Sequence, residues 1–132
     1  MYERIWTVRF SDADPFGIAY YPRIIEAVHE TSDIFMEDIG FPFWEISQDH
    51  GYGLPIVEVN FEFENPVEAG DKVTVGLTPS LGNRSVRFEY VARCDGEVAF
   101  SGYEQRVCAR TGSEGSMELP DDLREALEPY AD

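Results

Sequence analysis

Hydrophobic and polar positions recur along this chain with two different periods, and the changes of period mark its elements. Residues 2 to 10 (Y-E-R-I-W-T-V-R-F) are rich in aromatic and β-branched types, the composition of a strand. From Pro22 onward Ile24, Ile25, Val28, Ser32, Phe35, Met36 and Ile39 recur at spacings of three and four, with Ala27 and Thr31 widening the stripe. That spacing predicts a long helix, with Pro22 at its first position and Gly40 placed to end it. Residues 41 to 53 carry aromatics, Gly and Pro, and read as a loop. Val57, Val59, Phe61 and Phe63 then alternate with Glu58, Asn60 and Glu62, a strand with one buried face. Val73, Val75 and Leu77 repeat the pattern over residues 72 to 78. Gly82-Asn83 turns the chain into residues 84 to 94, where Val86, Phe88, Tyr90 and Ala92 share a face. Asp95-Gly96 reads as a two-residue hairpin turn into residues 97 to 110, within which Gly102 suggests a bulge. After Pro120, D-D-L-R-E-A-L-E is a short terminal helix with Asp121 as its cap.

The order is strand, long helix, then four strands joined by short turns. It predicts an α+β domain spanning residues 1 to 132, an antiparallel sheet with one long apolar helix across it. There is no internal repeat and no low-complexity tract. A single helix covers one face of a sheet, so the other face meets water or a second copy, and self-association as a homodimer or a dimer of dimers is expected.

Charge narrows the range of partners. Asp and Glu total 26 against 10 basic residues, a formal net charge of −16, and Lys72 is the one lysine. Nucleic-acid phosphates would be repelled by such a chain. The acidity recurs along the whole sequence, so it belongs to the surface, and a surface so charged folds best where salt screens it. A halophilic setting is expected. No apolar run approaches the ~20 residues that cross a bilayer, and residues 1 to 10 lack the apolar core of a signal peptide; a cytoplasmic protein without membrane partners is expected. The hairpin register puts Cys94 opposite residue 97 and Cys108 near residue 83, so the two cysteines are not expected to pair.

Candidate chemistry is sparse. No Cys-His cluster has metal-ligand spacing, no glycine-rich phosphate loop is present, and no serine sits in a G-x-S-x-G turn. His29 falls on the helix as a partly exposed residue; His50 lies in the loop before Gly51, a turn residue with a possible place in a site wall. What stands out is S11-D-A-D-P-F-G-I-A-Y-Y-P22, which sets two carboxylates at the mouth of the longest helix. Asp12 and Asp14 can serve simply as acceptors for turn amides. Equally, a carboxylate before a helix start sits beside free backbone N–H groups whose positive end favours an oxyanion. Since Pro22 has no N–H, the donors would be Tyr21 and the residues just inside the helix.

The stretch D14-P-F-G-I-A-Y-Y-P22 resembles the D-P-x-G-I-[VA]-[WFY]-Y-P signature of hot-dog-fold acyl-CoA thioesterases of the 4-hydroxybenzoyl-CoA thioesterase type. Resemblance extends over most of the chain: I39-G-F41 ends the helix, G53-L-P-I-V-E-V-N-F-E-F63 looks like the second strand and A69-G-D-K-V73 like the approach to the third. It implies a hot-dog fold, a sheet wrapped around one long central helix and paired in a dimer, and an enzyme that hydrolyses an acyl-CoA to a carboxylate and free CoA. It implies no metal or redox cofactor, CoA entering only as part of the substrate. By resemblance Asp14 is the catalytic carboxylate, as nucleophile or as base for water. Tyr21 supplies the backbone N–H that polarises the thioester carbonyl, and Gly17 allows close approach of substrate. Asp12 supports the loop. Phe16, which stands where a small residue is common, is a candidate substrate contact with Pro22 and His50. Arg84, Arg87, Arg106 and Arg110 are candidates for the CoA phosphates, each also readable as a surface ion pair. Two further classes share the expected shell, a hot-dog hydratase or lyase with an Asp-His pair on the helix and a non-catalytic acyl-CoA binder.

Overall fold

The computed structural model describes all 132 residues. Five strands form one antiparallel sheet: β1 (Tyr2–Thr7), β3 (Ile56–Phe63), β4 (Lys72–Leu81), β5 (Ser85–Cys94) and β6 (Glu97–Val107), in the spatial order β1-β4-β5-β6-β3. A separate two-stranded ribbon joins β2 (Tyr52–Gly53) to β7 (Ala109–Arg110). Helix α1 (Tyr21–Asp38) lies against the sheet, and α2 (Phe43–Asp49) and α3 (Asp121–Leu127) close its flanks.

The stripe read from the sequence is the face that α1 buries. Ile24, Ala27, Val28, Phe35 and Met36 point inward and meet Val73, Val75, Leu77, Val86, Phe88, Tyr90 and Ala92 of β4 and β5 in one hydrophobic cluster, with Thr31 and Ser32 buried on the same face. Phe35 anchors it, edge-on to Phe88 with ring centroids 5.9 Å apart and 5.1 Å from the ring of Tyr2. Losing one such buried aromatic would cost about 3–5 kcal/mol. Gly40 follows the helix at φ +90°, a conformation that other residues reach only with strain.

Several expected boundaries move. The first strand stops at Thr7, because Phe10–Asp12 wind into a single 3₁₀ turn. Helix α1 starts one residue early, with Tyr20 as N-cap and Pro22 at the second position. Residues 41 to 53 are not a loop throughout; α2 and β2 lie within them. Pro79 belongs to β4 and sits opposite Phe88, past the last β1 partner at Leu77, so its missing N–H breaks no ladder bond to β1. Asp121 is the first helical residue of α3 and Pro120 the N-cap, with no side-chain cap bond. Gly102 is not at a bulge. It sits opposite Phe61, and a Cβ there would collide with the Asn60 carbonyl and come within 2.8 Å of Phe61 Cα.

The largest departure is β3. Its apolar face was expected to be buried, yet Val57 is 61 %, Val59 46 % and Phe63 50 % exposed, with Phe61 half-buried. It is an edge strand, and the helix does not extend over it. The cysteine register holds: Cys94 pairs with Glu97, the Cys108 N–H donates to Arg84 O at 2.8 Å, and both thiols are free.

Candidate active site

The loop ahead of α1 is built from its own amides. Asp12 Oδ2 accepts the Arg9 N–H at 2.8 Å and its carbonyl accepts the Tyr20 N–H at 2.8 Å, so Asp12 closes the loop's base. Ala13 and Ala19 bridge across it. Asp14 then crowns a tight turn: its N–H donates to Ile18 O at 2.8 Å and its carbonyl accepts the Gly17 N–H at 2.9 Å. Gly17 holds φ +80°, which explains glycine here without any close packing, since a Cβ at 17 meets no atom within 4 Å. Asp14 Oδ1 accepts two backbone N–H groups, from Phe16 at 2.9 Å and Ile18 at 3.2 Å. No protein donor reaches Oδ2. One oxygen is pinned and the other carries no protein hydrogen bond.

The start of α1 presents an unengaged backbone donor. The Arg23 and Ile24 N–H groups both donate to Tyr20 O, at 2.8 and 3.3 Å, and Pro22 has no N–H. Of the first four positions of α1, only the Tyr21 N–H is left without a protein acceptor, at the positive end of an 18-residue helix. The sequence pointed to several donors; the geometry reduces them to one. Beside it opens an apolar groove of about 280 Å³, with Ile18, Ala19, Tyr21 and Ile24 on one wall and residues 63 to 67 on the other. Phe16, Pro22 and His50 do not line this groove. Phe16 projects into solvent, 86 % exposed, and His50 ends α2 with its ring 6.5 Å from that of Tyr52. A larger depression, about 430 Å³ between β4 and the C-terminal segment, is polar and holds neither the Asp14 turn nor a helix start.

Sequence reading missed a buried ionic cluster under the middle of α1. Glu104 and Arg106 of β6 are 2 % and 4 % exposed and lie 3.2 Å apart. Glu104 also accepts the Tyr90 hydroxyl at 2.7 Å and faces His29 Nδ1 at 3.5 Å. Arg106 donates to Leu54 O at 2.9 Å and to Ser32 Oγ at 3.3 Å, and its guanidinium lies over the Phe43 and Phe88 rings. Burial pushes the Glu104 carboxyl up, but the His29, Arg106 and Tyr90 contacts together outweigh it and hold the group below its ordinary range. The bond to Glu104 raises His29 against its partial burial, with Asp33 adding to the rise. Tyr90 is pushed well up by burial and by Glu104. Arg106 is thus withdrawn from the phosphate candidates. Arg87 stacks 3.9 Å over Tyr103 while bonding Gln105, and Arg84 donates to Ser116 O at 3.0 Å; Arg110 remains exposed. The available signal for the cluster was two opposite charges in the inward phase of β6, two residues apart after Phe100 and Gly102.

The thioesterase-like superfamily pattern matches residues 8–127. The chain belongs to this superfamily. Its architecture, an antiparallel sheet packed on one long helix, is the hot-dog fold. A 1,4-dihydroxy-2-naphthoyl-CoA hydrolase from Nostoc punctiforme is 27% identical over 123 residues, covering 92% of this chain and 83% of that one. Among solved structures, a gentisyl-coenzyme A thioesterase is 30% identical, covers 96% of this chain and 99% of its own, and superimposes with a TM-score of 0.82. A thioesterase-superfamily protein from Jannaschia sp. CCS1 is 25% identical with a TM-score of 0.90, covering 99% of this chain and 93% of its own. The superfamily match spans the Asp14 turn, the start of α1 and both walls of the groove.

Proposed function

We propose that this thioester hydrolase acts on an aryl-CoA, with Asp14 as the reacting carboxylate and the Tyr21 N–H as the donor to the thioester oxygen. The observation that carries this reading is the Asp14 turn itself, one carboxylate oxygen fixed by two amides and one free, in the same loop that ends on a single unpaired helix N–H. Thioester hydrolysis needs those two groups at one carbonyl. As base, Asp14 takes a proton from water while the hydroxide oxygen bonds to the carbonyl carbon. The C–S bond then breaks, and CoA leaves as a thiolate that is protonated to the thiol. As nucleophile, Asp14 Oδ2 bonds to the same carbon, CoA leaves, and water cleaves the resulting anhydride. In both, negative charge gathers on the carbonyl oxygen, where the Tyr21 N–H and the helix end stabilise it. Hydrolysis in ¹⁸O-water under single turnover separates the two: label in the Asp14 carboxyl marks the nucleophile.

The groove supports an aryl acyl group. An apolar cavity of about 150 Å³ takes a benzene ring, so about 280 Å³ has room for two fused rings. The relatives named for dihydroxynaphthoyl-CoA and gentisyl-CoA act on acyl groups of that kind. A panel of aryl, short, medium and long acyl-CoAs with free-thiol detection tests the proposal. Aryl-CoAs are expected to give the highest kcat/KM; a preference for a long alkyl chain overturns the aryl assignment, hydration of an enoyl-CoA in place of thiol release makes the chain a lyase, and binding without turnover makes it a carrier.

Self-association belongs to the same reading. The exposed Val59 and Phe63 face and the unpaired edge of β3 are what a second copy would cover.

A further inference from the structure

We propose that Glu64 and Asn65 are specificity-determining residues that accept a hydrogen bond from a hydroxyl on the acyl group. This rests on the aryl-CoA hydrolase reading above and goes one step further, to how one acyl group is told from another.

The groove is a wedge. Ile18 bridges to Glu68, and the Ala19 N–H donates to Val67 O at 2.8 Å, so the two walls are stitched together at its apex. Beyond that point the chain runs antiparallel. Tyr21 turns away into α1, while residues 66, 65 and 64 continue on the opposite wall. Glu64 and Asn65 therefore stand across the wedge from the Tyr21 N–H that receives the thioester oxygen.

Most of their donors are already engaged, while their acceptors are not. The backbone N–H groups of Glu64 and Asn65 both donate to Ala99 O, at 2.9 and 3.1 Å, and Pro66 has none. Asn65 Nδ2 donates to Val98 O at 2.7 Å. Since a carbonyl acceptor selects the NH₂ end of the amide, Oδ1 is the end left over, and no protein donor reaches it. Glu64 makes no ion pair, and its carboxylate brings acceptor oxygens to the wall. This wall offers the Glu64 carboxylate and Asn65 Oδ1 as unengaged acceptors, beside one remaining Asn65 Nδ2 N–H, against an otherwise apolar lining. It matches an acyl group that carries a hydrogen-bond donor, a phenolic or alcoholic hydroxyl, and the Glu64 carboxylate disfavours one that ends in a carboxylate. The opposite orientation, with the nucleotide end of CoA in the wedge, would set phosphates against Glu64.

The test compares paired substrates that differ only in hydroxylation: 1,4-dihydroxy-2-naphthoyl-CoA with 2-naphthoyl-CoA, and 4-hydroxybenzoyl-CoA with benzoyl-CoA. Each pair is hydrolysed by the wild type, Glu64→Met and Asn65→Leu, two near-isosteric changes at exposed positions. The wild type is expected to favour the hydroxylated member of at least one pair by about tenfold, the worth of one such hydrogen bond. In each variant that ratio shrinks by at least threefold, with the loss falling on the hydroxylated member. Equal losses on both members of a pair indicate a structural role and overturn the assignment, as does a ratio that survives both substitutions or is absent from the wild type. Failure of the parent reading is distinct: no thiol is released from any of the four substrates.

Discussion

Asp14 and Asp12 sit two residues apart in one loop, yet their surroundings give them different work. Asp12 spends its carboxylate on the Arg9 N–H and its carbonyl on the Tyr20 N–H, so it braces the loop. Asp14 keeps Oδ2 free. Asp14→Asn retains an oxygen for the Phe16 and Ile18 amides and loses the anion; kcat for the best acyl-CoA is expected to fall at least ~10²-fold, the scale of a lost catalytic base, with the melting temperature almost unmoved. Asp12→Asn should lower the melting temperature more and turnover much less. Turnover by Asp14→Asn within a few-fold of wild type removes Asp14 from the mechanism. His29 makes a second residue-scale prediction. Its folded pKa lies above the ordinary 6.5, so its stabilising contribution is complete below about pH 6.5 and is lost as pH rises through the folded value. Glu104 is shifted down, so its contribution is present above its ordinary 4.5 and is lost as pH falls through the folded value. Melting curves of wild type and His29→Gln should therefore differ most near pH 6 and converge by about pH 9; a gap that widens with rising pH reverses the sign and rejects the His29–Glu104 bond.

Elements were legible where one period governed both pattern and burial. Helix α1 shows its buried face in the sequence because Ile24, Val28, Phe35 and Met36 keep their spacing over more than three turns, and β5 does the same with Val86, Phe88, Tyr90 and Ala92. The seven-residue α2 escaped notice because Pro42 and Gly51 bracket a segment too short for a helical period to register. The Asp14 turn was legible as a motif, but which helix-start N–H remains free depends on where Tyr20 O points, and no spacing encodes that. The buried Glu104–Arg106 pair was hidden by the prior that charges lie outside. The β3 alternation was read correctly as chemistry and misassigned as burial within one chain, and that discrepancy carries the next prediction. If β3 is covered by a second copy, light scattering of the wild type should give at least twice the mass of the chain, and Val59→Lys, which places a charge in the uncovered face, should shift it toward monomer with loss of activity. An active wild-type monomer at assay concentration rejects the proposed pairing.

At the scale of the whole molecule, charge is the dominant property. Only Arg4, Arg23 and Arg106 among the lysine and arginine side chains are ion-paired to carboxylates, with His29 facing Glu104, so most of the 26 acidic groups face solvent without a compensating partner. Their mutual repulsion is screened when the Debye length falls to about 3 Å in molar salt. The melting temperature is expected to rise between dilute and molar KCl, and KM for the polyanionic CoA thioester to fall over the same range. A melting temperature that stays flat or drops removes the halophilic expectation. In the proposed mechanism the donor to the thioester belongs to the main chain at Tyr21 and the Asp14 carboxylate is steadied by main-chain amides, so that reaction centre is written largely in backbone conformation. Side chains lining the wedge, Phe63 to Asn65 among them, can drift without dismantling it. A chain carrying this loop can thus exchange one acyl group for another through substitutions at the groove wall while its chemistry stays in place.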